Sequence, residues 1–404
     1  VIEYLNVSFM ITLLSLGTLF LWVVMTLICV YNFWTADRLE NCPIMIEQGH
    51  RGSLSILIPA RNEEQNLRTI LPPLFEAIRA LQCQGIEVEL LIFDDDSTDQ
   101  TSEVVLQAFS SEKAFLNKML IRSHELPTSG WTGKNAACHQ LQKYARFEHF
   151  LFLDADVRLG PQALVRAWYA YQNHAADALS VLPHQTMESL AERLIIPLIM
   201  HFSIFTLLPL KLVLRSPYPS LSVLNGQFFL ISKKAYHQVG GHAAVQTNVL
   251  EDVVLGRLLK RQGLRLHILT ATRDISVRMY TSFATLWEGF GKNLAPLLGG
   301  NSSLLALFNA LGVFYLLCSP LTLALSTLPS HEAGPLALLP RFFSLTPFFC
   351  LILCRFLIAR VFRYRYLPVD IVLHPLAATS LLLLSTSSVV RRIRKTTTWK
   401  GRTV

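Results

Sequence analysis

Asp154-Ala155-Asp156 sets two carboxylates on either side of one residue, directly after the apolar run 150–153. Acids so spaced can chelate one Mg2+ or Mn2+ together with a diphosphate, whose charge the metal offsets. Asp is common in turns after strands, so the pair carries little by itself. Two further clusters change its weight. Asp94-Asp95-Asp96-Ser97 follows the apolar run 88–93, and Pro59-Ala60-Arg61-Asn62-Glu63 follows the run 54–58. Two acidic strand ends in one sheet are costly unless a cation or a base-reading hydrogen bond occupies the gap.

Two more groups complete the set. Gly130-Trp131-Thr132-Gly133-Lys134-Asn135 opens a helix, with Lys134 at its N-terminus, where anions are favoured. The GxxxxGK[ST] spacing of a Walker A loop is absent. Glu251-Asp252 precedes the helical pattern 253–262. An acid at a helix start is commonly a cap. Its place well downstream of the DxD, past Asn225-Gly226-Gln227-Phe228, argues for chemistry instead.

The elements that must position these groups follow from periodicity. Between residues 52 and 301 short β-like runs alternate with helical segments, which implies βαβ units and a mostly parallel sheet. Strands are expected over 53–58, 88–93, 115–122 and 150–153, with helices opening at Asn62 and spanning 101–109 and 132–144. In such an open sheet the carboxyl ends of the strands line the ligand crevice, where the acidic clusters fall.

The rest of the chain is apolar. Of 404 residues, 51% are hydrophobic and 16% charged, with a mean hydropathy of +0.39, too apolar for an ordinary soluble protein. Residues 9–31 carry no charge over a stretch long enough to cross a bilayer. With no basic region before them and no small-residue cleavage site after, they are expected to form an uncleaved anchor. Three more apolar stretches lie at 304–328, 336–358 and 367–390, flanked by Arg360, Arg363, Arg365 and a basic tail. Basic loops tend to stay cytoplasmic. Three spans would export that tail, so either one stretch is re-entrant or interfacial or the tail breaks the rule. The segment 194–214 is nearly as apolar, but contains Pro197, His201, Pro209 and Lys211. Crossing there would put Glu251-Asp252 on the opposite side from the DxD, so the segment is expected to lie in the membrane interface.

The net charge of +8 lies largely beside the apolar segments, where anionic lipid accounts for it, and no nucleic-acid-binding pattern stands out. The seven cysteines are scattered and form no CxxC, and are read as reduced thiols.

Taken together and in this order, P-x-x-NE, DDxS, GK, DxD, NGQF and ED resemble the inverting family-2 glycosyltransferases, over residues 54–293. The resemblance implies a GT-A (Rossmann-like) α/β fold with a mixed, mostly parallel sheet, joined here to transmembrane helices. It implies a nucleotide-sugar donor, usually a UDP-sugar, with Mg2+ or Mn2+. Carried onto this chain, Pro59, Ala60, Arg61 and Glu63 would border the nucleoside. Asp94 and Asp95 would contact uracil, ribose or the metal shell. Asp154 and Asp156 would hold metal and diphosphate, with Lys134 near the phosphates. Asn225, Gly226 and Gln227 would border the acceptor. Of the Glu251-Asp252 pair, Asp252 would be the general base that takes the acceptor hydroxyl proton. The QxxRW of processive members is missing. The corresponding region reads Trp287-Glu288-Gly289-Phe290-Gly291-Lys292-Asn293, so Lys292 would face the leaving diphosphate. The branch with GW-x-GK, Arg278-Met279-Tyr280 and Trp399-Lys400-Gly401-Arg402 is similar to carotenoid-acid (diaponeurosporenoate-type) and hopene-associated glycosyltransferases.

The expected organisation is an anchor and linker over 1–51, a cytoplasmic catalytic domain over 52–301, and membrane segments with the basic tail over 302–404. The expected activity moves one sugar onto a lipid-soluble acceptor at the cell (inner) membrane. Partners are then the nucleotide sugar, the lipid and the membrane. The alternatives are a polyprenyl-phosphate glycosyltransferase, whose acceptor needs no general base, and a membrane transport protein. The latter is disfavoured because the acids lie outside the apolar spans.

Overall fold

The computed structural model describes residues 2–45, 52–112, 117–122, 130–297, 307, 309–310, 339–365, 368–394, 398–399 and 402–403. The chain divides into two compact units. One comprises Ala36–Thr186, Leu212–Met279 and Thr397–Val404; the other comprises Val1–Thr35, Met187–Lys211 and Tyr280–Thr396. Segment 36–45 therefore groups with the α/β unit rather than with the N-terminal helix, and 280–297 with the apolar unit.

The α/β unit is built on an eight-stranded sheet. Its strands are β1 (Gly52–Ala60), β2 (Ile86–Asp94), β3 (Asn117–Arg122), β4 (His149–Leu153), β5 (Val157–Leu159), β6 (Ala178–Gln185), β7 (Phe228–Ser232) and β8 (Leu266–Val277). They run in the order β3-β2-β1-β4-β7-β6-β8-β5. β1 pairs in parallel with β2 and β4, β2 with β3, and β6 with β8. β7 runs antiparallel between β4 and β6, and β5 antiparallel beside β8. This is the α/β, mixed and mostly parallel arrangement that the sequence leads one to expect. Near-continuous apolar runs such as Ile56-Leu57-Ile58 and Leu90-Leu91-Ile92 are buried throughout, as strands covered on both faces require.

The helix Glu64–Gln82 turns Leu67, Ile70, Leu71, Leu74, Ile78 and Leu81 inward at three- and four-residue spacing. One charge lies deep in the sheet. Glu89, 3% exposed, accepts from the Ser55 hydroxyl at 2.6 Å, the Arg146 N–H at 2.7 Å and the Arg146 guanidinium at 2.9 Å. A buried carboxylate is tolerable only when so paired, and this one ties the turn before β4 to β1 and β2.

The other unit is helical. Its N-terminal helix, Ile2–Thr35, packs on a helix over Leu339–Phe362. Within these, Ser15–Thr35 and Leu345–Phe362 are long and apolar enough to cross a membrane, as is Leu190–Leu207. A helix over His374–Ile393 covers the last apolar stretch, and the stretch 304–328 lies largely outside the described residues. The segment 194–214 is broken helix. Leu190–Pro197 passes through a π-helical turn (Leu198–Phe202) into Ser203–Leu207, and a new helix starts at Leu210. Asn32 closes the break: its amide donates to the carbonyls of Phe205 (3.0 Å) and Leu208 (2.7 Å) and accepts from the Leu210 N–H (2.9 Å).

Candidate active site

The antiparallel insertion of β7 brings the distant motifs together. Pairing Leu153 with Phe228 sets the start of β7 beside the end of β4. Asn225-Gly226-Gln227 thus meets the DxD, and the Asp154 N–H donates to the Gln227 carbonyl at 3.2 Å. A helix from Glu251 to Arg261 then presents Glu251 and Asp252 in its first turn, where the helix dipole favours acids. Its start lies two residues earlier than periodicity indicated, so both acids are inside the helix.

Lys134 sits at the centre. The helix Gly133–Tyr144 is capped by the Thr132 hydroxyl, which accepts from the Asn135 N–H. Lys134 Nζ lies 2.8 Å from Asp154 Oδ1 and 2.8 Å from Glu251 Oε1. Burial raises the Glu251 pKa and lowers that of Lys134, but the pairing outweighs it. Glu251 is held below its ordinary value and Lys134 well above.

Asp252 has the opposite character. Oδ2 accepts from the Gly226 N–H at 3.0 Å and Oδ1 from the Val253 N–H at 2.8 Å. Burial, and then the neighbouring Glu251 charge, push its carboxyl up to about 6. A base with a pKa near the working pH combines a large ionised fraction with a real drive to take a proton. Two adjacent carboxylates thus have separate properties, one locked as an anion by Lys134 and one poised to titrate.

A small depression is lined by Pro59, Lys134, Asp154, Gly226, Glu251 and Asp252, together with Cys138, Phe152, Leu153, Phe229, His242 and Leu255. Glycine at 226 relieves a close approach, since a Cβ there would lie 3.2 Å from the Asp252 Cβ. His242 and Cys138 carry no motif in the sequence, and Asn135 has none beyond following Gly133-Lys134. The His242 imidazole is buried, bonded through Nδ1 to the Tyr236 hydroxyl at 2.8 Å, and burial pushes its pKa down to about 3. It is therefore a neutral floor for the site. The fully buried Asn135 amide donates to the carbonyls of Val245 (2.7 Å), Gln246 (3.3 Å) and Asn248 (2.9 Å). That fixes the segment leading into Glu251 to the helix bearing Lys134. A buried Asn beside GK was a weak signal, legible only once its partners are known.

Other expected residues lie elsewhere or are used differently. Asp94 accepts from the Ser97 N–H at 3.0 Å and from the Ser102 hydroxyl, so both its oxygens brace the turn after β2. The gap between acidic strand ends is thus partly filled by internal donors. The Asp95 N–H donates to the Ala60 carbonyl at 2.9 Å, and Arg61 donates to the Asp95 carbonyl at 2.6 Å. Glu63 lies just before the helix starting at Glu64, its N–H donating to Thr101 Oγ1 at 2.8 Å. Asn225 and Gln227 bond mainly to each other, to Ser180 and to Gln185, supporting Gly226 from behind. Asp156 is half-buried after β4. Lys292 is on the helix Phe283–Leu297, which belongs to the helical unit.

Residues 55–240 match the Glycosyl transferase family 2 model. It is 28% identical over 253 residues to the 4,4'-diaponeurosporenoate glycosyltransferase of Staphylococcus haemolyticus (strain JCSC1435), covering 60% of this chain and 61% of that protein. The match thus spans about three-fifths of that relative's length (61%). The Staphylococcus aureus (strain USA300) protein of the same name is 27% identical over 284 residues, 68% of this chain and 69% of that one. Among solved structures, a mannosyltransferase from Pyrobaculum calidifontis in complex with GDP-Man and Mn2+ aligns over 95% of this chain and 99% of its own, at 13% identity and a TM-score of 0.49.

Proposed function

We propose that the protein is a membrane glycosyltransferase that moves a single sugar from a nucleotide sugar, of the UDP-sugar class, to a hydroxyl of a lipid-soluble acceptor of carotenoid or hopanoid type. The observation that carries this reading is the poised carboxylate of Asp252, held by two backbone N–H groups beside the Lys134–Glu251 pair in a family-2 domain. The carotenoid-type relatives support the lipid acceptor. The apolar helices support a membrane setting, with the α/β unit in the cytoplasm, where nucleotide sugars are made.

Asp252 takes the acceptor proton as the acceptor oxygen bonds to the anomeric carbon. The bond from that carbon to the diphosphate breaks on the opposite face, so configuration inverts. Asp154 and Asp156 form an oxygen-only, half-buried pair at a strand end, a donor set that suits Mg2+ or Mn2+. That ion would supply charge neutralisation for the diphosphate. Lys134, already between Asp154 and Glu251, stands ready for the same anion. Pro59, Ala60, Arg61, Glu63, Asp94 and Asp95 frame the nucleoside side, and Asn225, Gly226 and Gln227 the acceptor side.

The direct test supplies the protein in detergent with a panel of UDP-sugars, Mg2+ or Mn2+, and a bacterial lipid extract, read by mass spectrometry. A lipid heavier by one hexose, absent with Asp156→Ala and with EDTA, is expected. Full activity in EDTA would remove the metal from this reading, and free sugar or polymer as the sole product would remove the lipid acceptor.

A further inference from the structure

We propose that Asp37, His174 and His267 form a binding site for a divalent transition metal of the Zn2+ class, separate from the catalytic acids. The three residues come from distant parts of the chain, and one ligand atom from each lies within 4.8 Å of the other two. His267 is the second residue of β8, which runs parallel to β6, and β6 has the same direction as β4 across the antiparallel β7. The start of β8 is therefore at the opposite edge of the sheet from the carboxyl ends of β1, β2 and β4. This cluster is not an extension of the sugar-transfer site.

The spacing of Asp37 and His267 suits two ligands of one ion better than a direct ion pair. His267 Nε2 lies 3.5 Å from Asp37 Oδ2, longer than a good N–H···O bond. Two tetrahedral ligands about 2.1 Å from one Zn2+ stand roughly 3.4 Å apart. The His174 and His267 rings stack, with centroids 3.7 Å apart and planes 18° from parallel. Stacked rings hold their lone pairs in separate planes, so the exposed His174 ring must turn for both nitrogens to face one cation. Two imidazoles and a carboxylate leave an open position for water, a donor set suited to Zn2+ rather than to Mg2+ or Ca2+.

Each ligand is carried on fixed backbone. The Asp37 carbonyl accepts from the Thr270 N–H at 2.9 Å, and Arg38 forms a bridge with Thr270. His267 is locked in the β6–β8 ladder opposite Leu179. His174 closes the helix Ala163–Asn173, its N–H donating to the Ala170 carbonyl at 3.0 Å. A metal here would clip the segment following Thr35 to that helix and to β8.

The experiment uses the full-length protein in detergent, without a polyhistidine tag, stripped of metal and held in excess Mg2+ to occupy oxygen-only carboxylates. Co2+ is then titrated and followed by visible absorption, with Zn2+ as competitor. One equivalent of Co2+ per chain should give the intense band of a four- or five-coordinate nitrogen-containing site, displaced by one equivalent of Zn2+. The band should be lost in His174→Ala and in Asp37→Asn. His174 is exposed, so its replacement leaves the core intact, which circular dichroism checks. Absence of the band in the wild-type protein, or its persistence in His174→Ala, would overturn the assignment.

Discussion

Gly226 donates its backbone N–H to Oδ2 of Asp252 at 3.0 Å, and a Cβ at this position would press on the same carboxylate, 3.4 Å from Oδ2. The acceptor-side turn and the proposed base are therefore one mechanical unit.

Gly226→Ala tests that unit. The new Cβ would stand 3.2 Å from the Asp252 Cβ and 3.4 Å from its Oδ2, so Asp252 must move by a few tenths of an ångström. Small misplacements of reacting groups are expensive, and a fall in kcat of about tenfold or more is expected. Donor affinity, measured by calorimetry, should stay within about twofold. A variant with unchanged kcat would mean that Asp252 does not act at this position.

The pH profile follows from the raised pKa of Asp252. The base works ionised, so kcat/KM should climb with pH and level off above about 6. The ordinary value is 3.8, so the folded state holds this proton more tightly than the unfolded chain does. This group therefore disfavours the folded state above about 6, and that cost fades as pH falls from about 6 towards 3.8. Asp252→Asn should abolish turnover with a hydroxyl acceptor while donor binding persists. Retained turnover with a polyprenyl phosphate would instead identify an acceptor that needs no base.

Removing the central cation tests the donor side. Lys134→Met leaves Asp154 and Glu251 without their shared ammonium, so the Glu251 pKa should rise. Losing a charge-assisted contact to the diphosphate should weaken donor binding by about 1.5–3 kcal/mol, or roughly ten- to hundredfold. Calorimetric titration with the nucleoside diphosphate reads this directly, and equal affinity in both proteins would exclude Lys134 from the phosphates.

The broken helix 190–215 offers a test of lipid contact. Leu207 is 54% exposed, so replacing it removes little from the core. Leu207→Asp should cost about 2.5–3.5 kcal/mol if the side chain faces hydrocarbon. The expected signature is a raised KM for the lipid acceptor with donor KM unchanged. Equal weakening of both would place this face away from lipid.

Much of the donor side was legible in the sequence because its signals are local. An apolar run ending in acids identifies a strand end, and Thr132-Gly133-Lys134 identifies a capped helix start, since both depend on neighbours along the chain. β1, β2 and β4 fall where the runs 53–58, 88–93 and 150–153 indicate, within a few residues. The antiparallel place of β7 between β4 and β6 was not legible, because strand pairing is a contest among distant partners of similar apolar character. Yet that pairing alone sets Gly226 against the DxD. The same limit applies to charge. Sequence marks Glu251 and Asp252 as two adjacent acids, and only the fold gives one to Lys134 and buries the other against it. It applies as well to Asp37, His174 and His267, whose spacing carries no metal-site pattern. Covalent order determines which residues are available and what local structure they form. Burial and long-range contact, which exist only once the chain has folded, decide which of them meet and which carry a proton.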